Sequence, residues 1–288
     1  MTKPLWRPLL MLTSLGAAAG AGWWWLAHGR RGHADLADFA ATAYAHRGLH
    51  CGPDAPPENS LPAFEQALEA GYGVELDVHL TADDRLVVIH DSDLNRLCGL
   101  DRTIESLTTA EIEPLRLEGS DQPVPFLEQV LPLFEGRGRL LIEIKPVLGN
   151  HADLTRRTVD CLDRFNVAYA IESFDPRVLL WLRFNRPDIL RGQLTQDFRN
   201  RALRHGDFDA SVKAIPWLIR FMLTMLMFNV AGRPDFAAEK LTDRRNPSYR
   251  RFWRRWGGQG VYWTIRDRAE ADIAAADHQA IIFEGFRP

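Results

Sequence analysis

The chain has 288 residues, is 46% hydrophobic and 25% charged, and carries a formal net charge of −3. That is a globular composition, long enough for one full α/β barrel or two smaller domains. The slight negative charge argues against a nucleic-acid partner by bulk electrostatics. Cys51, Cys98 and Cys161 are widely spaced and lack a CxxC pattern, so they supply neither a disulfide framework nor a zinc cluster.

In chain order the first element is apolar. Residues 8–27 are uncharged, with Lys3 and Arg7 before them and Arg30 and Arg31 after them. The run matches the roughly 20 residues that cross a bilayer core, and Trp23, Trp24 and Trp25 lie where an interfacial aromatic belt belongs. A cleaved signal peptide has a shorter apolar region and a small-residue cleavage site. The expectation is therefore an uncleaved, single-pass transmembrane helix within a membrane-anchor segment, 1–32. The basic flanks tie at two residues each and give no orientation. Residues 33–40 read as a polar linker.

From 41 onward strands and helices alternate. The patterns predict strands at 42–46, 73–78, 86–90, 139–145, 168–172, 189–194, 211–215, 261–265 and 280–283, and helices at 61–70, 126–134, 152–164, 176–184 and 268–276. Such alternation implies a parallel sheet, and about eight repeats in ~250 residues fit a (β/α)8 barrel over 41–288. The strand at 86–90 follows the second strand too closely for an intervening helix. The turn-rich stretch 91–125 then reads as a small insertion after the second strand. Late in the chain, 217–228 is almost uniformly apolar, either a buried barrel helix or a greasy rim for acyl chains. Residues 247–256 place Tyr249, Phe252, Trp253 and Trp256 among four arginines, either an interfacial helix or a barrel helix with its aromatics in the core.

The chemistry lies at the predicted strand ends. Glu75 and Asp77, and Glu143 and Lys145, are ionisable pairs spaced i, i+2 in apolar runs, which puts each pair on one face of its strand. Uncompensated burial of carboxylates is prohibitive. The pairs indicate either a cation held between them or a buried salt-bridge network with Arg47 and Lys145. In a barrel, His46-Arg47-Gly48, Glu75, Asp77, His90-Asp91, Glu143 and Lys145 converge on one rim. That set suits metal-assisted phosphoester hydrolysis: carboxylates hold a hard divalent cation, arginine and lysine hold phosphate oxygens, and two histidines exchange protons.

The strings His46-Arg47-Gly48, Pro57-Glu58-Asn59-Ser60, Gly73-Val74-Glu75-Leu76-Asp77-Val78, Val88-Ile89-His90-Asp91 and Ile142-Glu143-Ile144-Lys145 resemble the glycerophosphodiester phosphodiesterase family. The resemblance implies a TIM barrel with a small insertion and hydrolysis of glycerophosphodiesters to sn-glycerol 3-phosphate and an alcohol. Carried over position by position, it implies His46 and His90 as the acid–base pair and Glu75, Asp77 and Glu143 as ligands of one divalent metal ion, Mg²⁺ or Ca²⁺. It also implies Arg47 and Lys145 as phosphate contacts, Trp263 as an aromatic wall near the substrate, and Glu58 in a supporting place. The family's usual Thr-Asp ending of the last strand is replaced by Phe283-Glu284, which puts the rim contact supplied there in question. A lysophospholipase D acting on membrane lysophospholipids is the nearest alternative, and a non-catalytic, membrane-tethered binding protein is a further one. The membrane contacts expected are the N-terminal helix and residues 217–228 and 247–256.

Overall fold

The computed structural model describes residues 29–30, 32–52, 54–147, 149–199 and 215–288. Nine strands form one sheet: β1 (Ala43–His46), β2 (Gly73–Leu80), β3 (Leu86–Val88), β4 (Arg139–Ile144), β5 (Ala168–Ser173), β6 (Arg191–Thr195), β7 (Phe236–Lys240), β8 (Gln259–Ile265) and β9 (Ala280–Phe283). All but β3 pair in parallel. The order β1-β9-β8-β7-β6-β5-β4-β2 closes through β1–β2 pairing into an eight-stranded parallel barrel. The helices α1 (Leu36–Ala41), α2 (Leu61–Glu69), α3 (Leu127–Phe134), α4 (His151–Leu162), α5 (Pro176–Asn185), α6 (Trp217–Thr224), α7 (Pro247–Trp256) and α8 (Arg268–Ala276) belong to this scaffold.

Strand parity separates two cores. Leu76, Val78, Leu140, Ile142 and Ile144 face outward and pack under the helices with Phe64, Leu131, Phe134 and Leu182. Tyr44, Leu141, Ala170, Leu194, Phe236, Ala238, Val261 and Ile282 fill the interior. Its floor is closed by Phe39 of α1, 4.4 Å from the Phe236 ring centroid and 5.3 Å from that of Tyr44. With apolar residues filling the floor, the inward-facing charges are left to the upper layers, at the carboxyl ends of the strands.

The structure departs from the sequence reading at the insertion and the seventh strand, leaves one predicted strand largely outside the described residues, and decides one open alternative. β3 runs antiparallel to β2, with Val78 opposite Val88. The excursion therefore begins when β2 leaves the barrel after Leu80, ahead of the predicted start at 91, and it carries its own apolar cluster of Val87, Ile89, Leu94, Leu97, Ile104, Ile112 and Phe126. The seventh barrel strand is Phe236–Lys240, unanticipated because Ala-Ala-Glu-Lys favours helix in isolation; pairing with β6 and β8 overrides that propensity. In the strand predicted at 211–215, residues 211–214 lie outside the described residues and Ile215 is in a bend. The aromatic stripe of α7 faces inward, with Tyr249 and Phe252 buried and Trp253 and Trp256 partly buried against the core, as the barrel-helix alternative has it.

By contrast α6 buries only Thr224 and leaves Trp217, Leu218 and Ile219 exposed, so the greasy-rim alternative fits the start of 217–228, while Leu226 beyond the helix is in the core. The apolar run 8–27 lies outside the described residues. Among those described, no helix is long and apolar enough to cross a membrane.

Candidate active site

Register brings the acidic residues together. Asp77 of β2 pairs with Glu143 of β4, and Glu143 with Glu172 of β5, so their side chains share the barrel interior with Glu75. Glu75, Asp77 and Glu143 are all buried and each offers an oxygen within 4.8 Å of the others. Lys145 Nζ lies 3.2 Å from Asp77 Oδ1 and 3.1 Å from Glu143 Oε1.

The loop after β1 is bent to reach this cluster. Arg47 takes a left-handed conformation (φ 56°), and its backbone N–H donates to Glu75 O at 2.9 Å and Glu75 Oε2 at 3.2 Å. Its guanidinium is 3.5 Å from Asp77 Oδ2 and donates to Glu58 Oε1 at 2.9 Å. Gly48 follows at φ 84°, where a Cβ would stand 2.8 Å from the Ala63 backbone. In the Pro57-Glu58-Asn59-Ser60 string, Asn59 Nδ2 donates to Asp77 Oδ2 at 2.9 Å and Ser60 caps α2 by accepting from Ala63 N.

Electrostatics divide the three carboxylates. Burial raises every one, but Lys145, His90, Arg47 and the Asn59 amide outweigh it at Asp77, which is held far below the usual carboxylate range. Glu75 and Glu143 are raised, first by burial and then by neighbouring charge of the same sign. Glu172 is pushed up in the same way. The resident cations thus compensate Asp77 and leave the other carboxylates repelling one another. A hard cation with oxygen ligands answers that surplus, so the donor set fits a divalent metal ion.

Each histidine carries a carboxylate on one ring nitrogen. His46 Nδ1 is 3.0 Å from Glu284 Oε2, with Nε2 turned toward Glu75 at 4.0 Å. His90 Nδ1 is 2.6 Å from Asp91 Oδ1. His90 reaches the rim in an unexpected way: it follows the returning antiparallel β3 and is set at rim height because Ile89 N–H donates to Asp77 O. Burial and the nearby Lys145 charge push His90 down to about 4, and burial with Arg47 also lowers His46. Hydrogen bonding to His46 holds Glu284 down at about 2.

Trp263 lies on the opposite wall. Its Nε1 donates to Thr195 O and Ala238 O at 3.2 and 3.1 Å, its ring meets Phe174 edge-on at 5.7 Å, and Lys240 Nζ stands 5.8 Å from its centroid. All nine sequence-predicted side chains therefore line the barrel mouth or touch a residue that does. Sequence reasoning quoted Asn59 and Glu284 without giving either a role, and missed Arg96 and Glu172. For Glu172 a signal was present, a glutamate inside the apolar strand 168–172. For Arg96 none was, because it lies in the insertion.

A profile described as the glycerophosphoryl diester phosphodiesterase family matches residues 46–278. The chain belongs to that family. As a member it is a phosphoric diester hydrolase. A glycerophosphodiester phosphodiesterase of Bacillus altitudinis is 32% identical over 165 residues, covering 54% of this chain and 66% of that one. A lysophospholipase D of Homo sapiens is 30% identical over 141 residues, 44% of this chain and 43% of that one. Among solved structures, an Oleispira antarctica phosphodiesterase in complex with sn-glycerol-3-phosphate superposes with a TM-score of 0.67 at 20% identity, covering 87% of this chain and 95% of that one. At that identity the likeness speaks for the fold.

Proposed function

We propose that this enzyme hydrolyses glycerophosphodiesters to sn-glycerol 3-phosphate and an alcohol, with Glu75, Asp77 and Glu143 holding one divalent cation, Mg²⁺ or Ca²⁺. The observation that carries the reading is the convergence of those three buried carboxylates with two cationic side chains and two carboxylate-held histidines at one barrel mouth. When bound, the cation supplies charge stabilisation to the phosphoryl oxygens. Arg47 and Lys145 contribute the same from fixed positions, at no reorganisation cost as charge develops. Glu284 and Asp91 each accept a hydrogen bond from Nδ1–H of their histidine, which leaves Nε2 free for proton transfer. One histidine deprotonates the attacking hydroxyl and the other protonates the departing alcohol; attack by water and attack by the substrate's glycerol hydroxyl use the same two groups. Glu58 supports Arg47, and Phe174 and Trp263 form the wall against which the organic part of the substrate packs. A non-catalytic binding protein would need no such pair of bases, which speaks against that alternative.

The membrane reading is kept for residues 8–27 as a single-pass anchor. Its continuation is described: Arg30 pairs with buried Asp235 at 2.6 Å and donates to the carbonyls of Pro187 and Ile189, while His33 Nε2 is 2.6 Å from Asp188 O. These partners precede β6 and β7, so the chain joins the barrel at its amino-terminal face, opposite the catalytic mouth. An anchor there turns the mouth away from its own bilayer and favours diesters arriving from water. The exposed Trp217, Leu218 and Ile219 favour the second reading, a lysophospholipase D whose substrate brings an acyl chain; α6 is on the mouth side, since Thr224 is held by Phe198 N and Asn246 Nδ2. The deciding experiment follows glycerol 3-phosphate and lysophosphatidic acid from matched substrates, with EDTA and after adding back Mg²⁺, Ca²⁺ or Mn²⁺. Chelator-sensitive glycerol 3-phosphate is the expected outcome; release insensitive to EDTA overturns the metal assignment.

A further inference from the structure

We infer that Arg96, supplied by the insertion, is a positioning residue that fixes His90 relative to the phosphate-binding side of the site. All three nitrogens of its guanidinium group are engaged. Nε donates to Asp91 Oδ2 at 2.6 Å, NH1 to Glu58 Oε2 at 3.1 Å and NH2 to Glu58 Oε1 at 2.7 Å. Asp91 in turn holds His90 Nδ1 through its other oxygen, and Glu58 receives Arg47 at 2.9 Å. A chain of charged contacts thus runs His90, Asp91, Arg96, Glu58, Arg47, Asp77, and the backbone bond from Ile89 N to Asp77 O closes it into a ring.

Arg96 is held from behind. It sits in the single-turn helix Asn95–Cys98, stopped by Gly99 in the left-handed conformation, with neighbours Leu94 and Leu97 buried in the insertion's apolar cluster. Burying those two leucines turns Arg96 out of the cluster and toward the site. The arrangement uses what distinguishes arginine: a planar fork that satisfies one carboxylate bidentately while its Nε serves a second. Against the upward push of burial, Asp91 is held low by its hydrogen bonds to His90 and then Arg96, and Glu58 by those to Arg96 and the nearby Arg47 charge. The insertion is thereby a working part of the site: its folded cluster aims the arginine that holds the carboxylate that sets the His90 ring.

The inference rests on the phosphodiesterase reading, and wild-type turnover separates the two: a wild-type chain that hydrolyses no glycerophosphodiester overturns that reading itself. In an active wild-type background, Arg96→Met is expected to lower kcat by about 10–100-fold, the size of effect seen when an outer-shell partner of a functional histidine is lost. KM and the midpoint for Mn²⁺ activation should hold within about 3-fold, as for loss of an interaction made only in the transition state. The decisive comparison is the double-mutant cycle with His90→Ala, where a residue acting through His90 has almost nothing left to lose. Wild-type kcat in Arg96→Met, or an undiminished drop when His90 is already alanine, overturns the assignment. Arg96→Lys decides should the methionine variant fail to fold. Lysine reaches one carboxylate at a time, so a native melting transition with reduced kcat supports the proposal and wild-type kcat overturns it.

Discussion

His46 and Glu284 meet at the ends of the paired strands β1 and β9, Nδ1 to Oε2 at 3.0 Å, although 238 positions separate them in the chain. β1 and β9 are parallel neighbours with Ala45 opposite Phe283, so each strand delivers its next residue to the rim at the same height. Glu284, at the end of β9, therefore places a carboxylate on His46. The rim contact at this position thus bears on the chemistry through His46.

The first prediction follows from that pair. His46→Ala should lower kcat by roughly 10²–10⁴-fold, the range for loss of a general acid or base. Glu284→Gln should lower it less, because the amide oxygen still accepts from Nδ1 while the charge that favours the imidazolium is gone. Steady-state kinetics on a soluble diester measure both; equal, wild-type-like turnover would falsify the role given to His46.

Acid stability should respond to the same contact. Glu284 titrates at about 2 in the folded chain against 4.5 ordinarily, so its contribution is fully present above about 4.5 and is lost as pH falls toward 2. His90 is depressed from 6.5 to about 4, so the unfolded chain takes up a proton first there as well, and stability falls between those values as pH drops. Both slopes have the same sign. Glu75, Glu143 and Glu172, raised by burial, contribute the opposite slope above about pH 4.5. The readable limb is therefore the acid one: melting temperature should fall as pH drops below about 4.5, and Glu284→Gln should flatten that limb.

Metal binding should stabilise the fold through the acidic cluster. A cation present at about 100 times its dissociation constant adds roughly 2.7 kcal/mol. Because Glu75 and Glu143 are raised by burial and mutual repulsion, loading displaces protons and apparent affinity should increase with pH. Calorimetric melting with Mg²⁺ or Ca²⁺ should show a rise of several degrees that Glu75→Ala abolishes while the metal-free variant remains folded. A rise of equal size in Glu75→Ala would place the cation elsewhere.

Much of this site was legible because the barrel translates strand sequence directly into geometry. Glu75, Asp77, Glu143 and Lys145 announce themselves as charges spaced by two in apolar runs, and parallel pairing in register needs nothing further to gather them. What escaped reading depends on contacts between distant segments. Arg96 is one of many surface-type arginines until the insertion folds back onto Glu58, and β7 hides as Phe-Ala-Ala-Glu-Lys because its strand character comes from neighbours 44 and 23 residues away, as the pairings Gln193 with Ala237 and Lys240 with Trp263 illustrate. The position of His90 was foreseen, but not its route, since an antiparallel return is invisible in a periodicity that parallel and antiparallel strands share.

Gly48 gives a backbone prediction. Its φ of 84° is costly for any L side chain, and a Cβ would collide at 2.8 Å with the backbone of Ala63 in α2. Gly48→Ala should therefore cost on the order of 1–3 kcal/mol of stability and displace the neighbouring Arg47 from Glu75 and Asp77. Kinetically that appears as a raised KM together with a lowered kcat, because Arg47 contacts phosphate in ground and transition states alike. An alanine variant with unchanged melting temperature and kinetics would show that the loop accommodates the methyl group by another path.

The attachment of Arg30 makes the last prediction one about access. Arg30 and His33 bind loops before β6 and β7, and Phe39 closes the barrel floor on the same side, so the chain leading from residues 8–27 arrives opposite the mouth. A full-length chain reconstituted in sealed vesicles should then hydrolyse a water-soluble glycerophosphodiester at the rate of the detergent-solubilised chain. A lysophospholipid confined to the same bilayer should be hydrolysed far more slowly than when offered in mixed micelles, because the proposed anchor at 8–27 would turn the mouth away from the bilayer. Asp235→Ala, which frees Arg30 from its buried partner, should narrow that difference by loosening the barrel from its fixed attitude. Rapid turnover of the bilayer-confined lysophospholipid by the unmodified chain would instead favour contact through Trp217, Leu218 and Ile219, and with it the lysophospholipase D reading.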